Sequence, residues 1–164
     1  MQKYIERVEK NILNAIKTNI LPEENFNYIH GWIIEDNYSE KVLTREERKK
    51  PEQYVPYVLI RPEIFEQKHK NSITEREQEF FINIVIKERN ISGYYKLLEI
   101  RDKIINYFTE YPYSTGENSY NLKLDMKSYL DEDRTAGDYW GIYIILKAII
   151  PTVIERKFMK NLGL

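Results

Sequence analysis

The chain opens on a helical pattern. Ile5, Val8, Ile12, Ala15, Ile16 and Ile20 recur at steps of three and four residues, with Glu6, Glu9, Lys10 and Lys17 mostly on the opposite side. Pro22 disfavours helical geometry at Leu21, so the spacing predicts an N-terminal helix over residues 3–20 within a first segment 1–21. Residues 22–53 read as a connector. Within it the apolar patch Ile29–Ile34 is open to a short-strand reading, and Trp32 with Ile33 or Ile34 is expected to dock on the domain edge. The run Thr44–Gln53 is densely charged and reads as a solvated turn or loop.

Strand patterns follow. Tyr54–Pro62 is rich in β-formers, and Pro56, which has no N–H to donate, places that end at an edge or bulge. Residues 63–78 break the apolar pattern and predict a long charged loop between two strands. In Glu79–Arg89, Phe80, Ile82, Ile84 and Ile86 share one face, while Phe81 and Val85 interrupt the polar alternation of the other and predict that it is half covered. Leu97, Leu98, Ile104, Ile105 and Phe108 trace a helical stripe from Ser92, a suitable N-cap, to Glu110 before Pro112.

A terminal hairpin closes the pattern. Leu122, Leu124 and Met126 alternate with Asn121, Lys123, Asp125 and Lys127, and residues 131–138 (DEDRTAGD) form a polar tip. Residues 139–150 are apolar on both faces, with Trp140, Ile142, Ile144 and Leu146 opposite Tyr143, Ile145 and Ile149. Such a strand is either covered on two sides or part of a subunit interface. The predicted fold class is α+β: a single domain over residues 1–164, of order α-β-β-α-β-β, with a mostly antiparallel sheet and two helices on one face. Residues 54–151 form its sheet–helix–hairpin core and 152–164 a polar tail.

Composition narrows the function classes. With 25 basic and 26 acidic side chains the net charge is −1, which provides no general field for nucleic acid or an anionic membrane. The absence of cysteine excludes disulfides, thiolate nucleophiles and cysteine-ligated metals. No apolar run approaches the roughly 20 residues of a membrane span, and the N-terminal stretch lacks the apolar region of a signal peptide, so the expected site of residence after synthesis is the cytoplasm. Abundant Ile, Lys, Asn, Glu and Tyr beside three alanines fit an AT-rich genome, such as that of a low-GC bacterium or something replicating in one.

Chemistry-bearing motifs are scarce. No nucleophile elbow surrounds Ser114, Ser119 or Ser128, and no phosphate-binding glycine pattern occurs. His69 sits between lysines as a solvated residue, and His30, beside Gly31 and Trp32, reads as a packed or turn histidine. Asp131, Glu132 and Asp133 lack the spacing of a calcium loop and suit a turn. The expectation is therefore no catalytic residue, no cofactor and no metal site. The fourteen tyrosines fit core edges and protein contacts better than a base-stacking platform.

Three stretches together resemble a known family: residues 55–62 (VPYVLIRP), 79–108 (EFFINIVIKERNISGYYKLLEIRDKIINYF) and 138–151 (DYWGIYIILKAIIP). They are similar to the small minor tail proteins of tailed bacteriophages, the tail terminator or tail-completion proteins. Gly93-Tyr94-Tyr95 resembles the family's turn into its helix, and Tyr139-Trp140-Gly141 its closing aromatic–glycine strand. The resemblance covers residues 54–151, and residues 22–53 have no counterpart in it.

The resemblance implies an α+β virion subunit that forms a ring, commonly a hexamer, at the head-proximal end of the tail tube. Its partners would be further copies of itself, the tail tube protein and a head–tail connector or neck protein, without catalysis or cofactor. Residence would be host cytoplasm, then the virion tail of a phage or prophage. On ring logic, Tyr139, Trp140, Tyr143 and Ile145 are the expected subunit-interface anchors. Lys68 and Lys70 in loop 66–77, and Asp131, Glu132 and Asp133 at the acidic tip, are expected to face partners. Other readings stay open: another head–tail connector or baseplate component, a small non-catalytic protein-binding module, or an enzyme with carboxylates converging near Asp125 or Asp138.

Overall fold

The computed structural model describes residues 2–31, 51–116, 119–151 and Gly163. The predicted packing of Trp32, Ile33 and Ile34, the charged run up to Lys50 and nearly all of the C-terminal tail lie outside these residues. Helix α1 (Gln2–Ala15) continues into a π-helical turn, Ile16–Ile20, closed by the Leu21 N–H donating to the Ile16 carbonyl at 2.8 Å. Strands β1 (Asn27–His30), β2 (Tyr57–Lys70) and β3 (Ile73–Lys87) precede helix α2 (Ser92–Glu110). Then come the two-residue strands β4 (Tyr113–Ser114) and β5 (Tyr120–Asn121), followed by β6 (Lys127–Leu130) and β7 (Tyr139–Ile149).

The main sheet has the order β1-β2-β3-β7-β6, and only the β1–β2 pair is parallel. The α+β class therefore holds, while the order gains a strand inside the expected connector and a small β4–β5 pair. Both helices cover one face. Val8 and Ile12 of α1, Ile16 of the π-helical turn, and Leu97, Ile104 and Phe108 of α2 are fully buried. Beneath them lie Val58 and Ile60 of β2, Phe80, Ile82 and Ile84 of β3, and Ile144 and Leu146 of β7. These are the even-numbered positions that period-two alternation places together.

Two sequence expectations need correction. The segment expected as a charged loop is a β-arm: β2 and β3 stay paired to Lys70–Ile73, joined by Asn71 and Ser72 at φ +51° and +64°. Both central residues of a type I′ turn have positive φ, and its twist matches that of the flanking strands. Hydrophobic periodicity misses the arm because nearly all of its β2 side is solvent-exposed. Cross-strand pairs hold it instead: Lys68 lies opposite Glu75, and the Arg76 Nε donates to Gln67 Oε1 at 2.8 Å.

The second correction concerns residues 120–127, read as one strand with Leu122, Leu124 and Met126 inward. Leu122 is buried and bridges to Ala148, and Met126 packs on the core, but Leu124 is 63 % exposed. Leu122 opposes Ala148 whereas Lys127 opposes Ile145, so two extra residues bow away from β7 between those points and carry Leu124 outward.

One carboxyl sits in the helix–sheet seam. Glu9 of α1 is 5 % exposed, and its buried Oε1 accepts no hydrogen bond and lies 3.4 Å from His30 Nδ1 on β1. Burial raises its pKa from 4.5 to about 7, with neighbouring Glu6 adding to the rise; a backbone hydrogen bond at Gly31 and the Lys10 charge oppose it. Between pH 4.5 and 7 the folded chain thus binds more proton than the unfolded one, and this group's contribution to stability falls as pH rises through that window. Glu9→Gln removes the dependence. It is expected to stabilise the fold at pH 8 by about 2 kcal/mol and to leave it unchanged near pH 4.5, as measured by urea unfolding at both pH values.

Candidate functional site

Among the described residues, the sheet face opposite the helices is only partly covered, and it is the main candidate surface. Near β1 it is closed by a small cluster of Tyr54, Tyr57, Leu59 and Val85. The β6–β7 connection covers the next part. Asp131, 3 % exposed, accepts a 2.9 Å hydrogen bond at Oδ2 from Asn83 Nδ2, and Asn83 Oδ1 accepts from the Tyr57 hydroxyl at 3.2 Å. Burial pushes the Tyr57 phenol up to about 12, so it stays a neutral donor. Asp131 therefore pins the connection to the sheet and does not face a partner at an open tip, while Glu132 and Asp133 are exposed.

Gly141 permits that approach. A Cβ built there would lie 2.9 Å from Arg134 Cβ and 3.0 Å from Asp131 Cβ. Asp131→Ala leaves the Asn83 amide without its carboxylate partner in a buried setting. The expected loss is about 1–3 kcal/mol of unfolding free energy, with Asp131→Asn milder because its amide oxygen can still accept. Paired urea titrations of the two variants measure the difference.

Beyond Asn83 the face opens. Tyr143 and Ile145 of β7 are half-buried, and Phe81 of β3 meets the Tyr143 ring edge-on at 6.1 Å between centroids. Tyr129 of β6, opposite Tyr143, tilts against it at 5.2 Å and is 45 % exposed. Burial, then the Asp131 charge, raises the pKa of both phenols, so both stay neutral at physiological pH, and the Arg61–Glu63 ion pair lies beside them. A belt of ion pairs borders it, Lys147 with Glu79 at 3.5 Å and Lys123 with Glu77. The arm then projects past the belt with Ile64, Phe65 and Ile73 exposed.

The structure separates the four residues expected to anchor an interface. Tyr143 and Ile145 lie on the open face. Tyr139 is half-buried at the face's far end, with the Lys87 ammonium 5.5 Å from its ring centroid. Trp140 points to the helix side: its Nε1 donates to the Glu88 carbonyl at 3.1 Å, its ring is 6.1 Å from that of Tyr94, and it fills the space above Gly93. Trp140 is thus an internal contact that seats the start of α2. The two short motifs Gly93-Tyr94-Tyr95 and Tyr139-Trp140-Gly141 meet in space through it.

Lys68 and Lys70 are exposed, on a strand of the arm and not in a loop. Phe81 was marked in the sequence by its break in alternation. Tyr129 carried no such signal, because its short strand lacks a periodic pattern. A cavity of about 70 Å³ lies at the Tyr139 end, lined by Glu52, Val55, Tyr57, Val85, Asp133, Arg134, Ala136 and Tyr139. Among the described residues, no three His, Asp or Glu side chains are grouped to hold a metal ion. No described helix is long and apolar enough to cross a membrane. Compared with protein-family models and with curated proteins, the chain matches none.

Proposed function

We propose that this chain is a structural subunit of a phage or prophage tail, which assembles as a ring at the head-proximal end of the tail tube and joins tail to head. The β-arm carries this reading. It is a two-stranded ribbon whose strands, from Glu63 to Arg76, lie largely in solvent, continuous with a half-covered aromatic sheet face. A two-stranded ribbon is marginal by itself in water, and exposed apolar side chains on one are accounted for when a neighbour covers them. The resemblance of residues 54–151 to tail terminator proteins supplies the identity of the assembly.

The test is electron microscopy of the purified chain, alone and mixed with polymerising tail tubes of the phage that encodes it. The expected result is a ring that caps one tube end and halts elongation there. Tubes of unchanged length with bare ends would overturn the reading. Decoration of the opposite end would instead support a baseplate component.

A further inference from the structure

We infer that the tip of the β-arm of one copy docks into the cavity at the far end of the sheet of a second copy, a head-to-tail contact. The inference deepens the assembly reading above and rests on it. The arm tip and the cavity lie at opposite ends of the same strand. β3 runs from Ile73 at the turn to Lys87, which pairs with Tyr139 at the cavity. Fourteen steps of strand span about 45 Å, so the tip cannot reach the cavity of its own chain.

The stretches at the two ends differ in the sign of their net charge. Residues 67–74 (QKHKNSIT) contain Lys68, His69 and Lys70; Lys68 is 3.2 Å from Glu66 and opposite Glu75, while Lys70 lies opposite Ile73, which is 63 % exposed. At the other end Glu132, Asp133 and Asp138 are exposed on residues 131–138, with Glu52 at the cavity wall. Arg134 is the one basic residue of that stretch and lies 4.0 Å from Glu52. The cavity itself pairs apolar walls, Val55, Val85 and Ala136, with a rim of Glu52, Asp133 and Arg134, and the Lys87 ammonium lies 5.5 Å from the ring centroid of Tyr139, another wall residue.

Its size favours a side chain over a small ligand. Ligand pockets run to about 300–1,000 Å³, whereas this one holds about 70 Å³. One aliphatic group such as the Ile73 side chain or a lysine stem, with its ammonium at the carboxylates, suits such a site. A contact between two different patches repeats from copy to copy, and it closes into a ring when the rotation per copy divides a full turn.

The test is a charge exchange read by sedimentation velocity at low and high salt. Lys70→Glu changes an exposed arm position opposite Ile73, and Glu132→Lys/Asp133→Lys only exposed loop positions; circular dichroism checks that both variants fold. The wild type is expected to self-associate, on the order of tenfold more weakly at high salt. Each variant alone is expected to be monomeric, and an equal mixture to regain association, because the reversed tip of one then faces the reversed rim of the other. A wild type that stays monomeric, variants that associate like wild type, or a mixture that stays monomeric would each overturn the inference. Rings that cap tubes in both variants would sink it while leaving the tail reading intact. Rescue in the mixture with no capping of tubes would do the reverse.

Discussion

Phe108→Ala is expected to lower the unfolding free energy by about 3–5 kcal/mol, enough to leave a chain of ordinary stability marginal. The ring is fully buried near the C-terminal end of α2. It packs edge-on against Tyr107 at 5.3 Å and Tyr120 at 5.8 Å between centroids. Tyr120 is itself tied to the chain after the helix, its hydroxyl donating to the Tyr111 carbonyl at 3.2 Å. Truncation therefore removes a large apolar group and loosens the joint between α2, β5 and the sheet. Urea unfolding should show a lower midpoint with an unchanged slope, the mark of a cavity in an otherwise intact fold. A loss below about 1 kcal/mol would mean that the site collapses to fill the space.

Gly93→Val should destabilise by about 3 kcal/mol for the opposite reason, overpacking. A Cβ at this position would stand 2.2 Å from Trp140 Cδ1 and 2.4 Å from Nε1, so the indole must leave its place. Its hydrogen bond to the Glu88 carbonyl and its contact with Tyr94 go with it. In a Trp32→Phe background, which leaves Trp140 as the sole indole, fluorescence reports the shift, since it responds to exposure of that ring. A smaller loss for Gly93→Ala, with the same spectral change, would identify the steric clash and not helix propensity as the cause. An unaltered spectrum in the valine variant would contradict the close contact.

Much of the fold was legible because its signals are local. The helical stripes of residues 5–20 and 94–108 and the alternation of Phe80–Ile86 each report a face buried under one layer, and the structure buries those faces. The arm was not legible because hydrophobic alternation exists only where a face meets a core. Strand pairing from Glu66 to Glu77 is held by backbone ladders and polar cross-strand partners. The I′ turn at Asn71-Ser72 lacked the glycine that usually marks one.

The candidate surface was legible in part for a similar reason. Tyr143 and Ile145 could be assigned to the face away from Ile142 and Ile144 by parity alone, and they lie there. Parity also put Trp140 with the core residues, yet its size and type drew it into the expected interface. Its role depends on Gly93, forty-seven residues earlier, a pairing that no local pattern encodes. Asp131 looked like a surface turn residue for the same reason. Its partner Asn83 is on a different strand and occupies an interior position that a polar side chain seldom takes.

The placement of β3 between two partners of very different sequence distance bears on how the chain is made. β2 precedes it by two residues at the Asn71-Ser72 turn, so that edge is paired as soon as both strands emerge. The other edge waits for β7, whose first residue, Tyr139, pairs with Lys87 fifty-two positions back. During synthesis, the backbone of Phe81–Ile86 therefore presents an unpaired edge on an apolar strand for the time needed to translate that interval. Such an edge is a template for pairing with any neighbouring nascent chain. Fragments stopped before residue 139 should accumulate as aggregates, while a chain that includes β7 closes the edge itself.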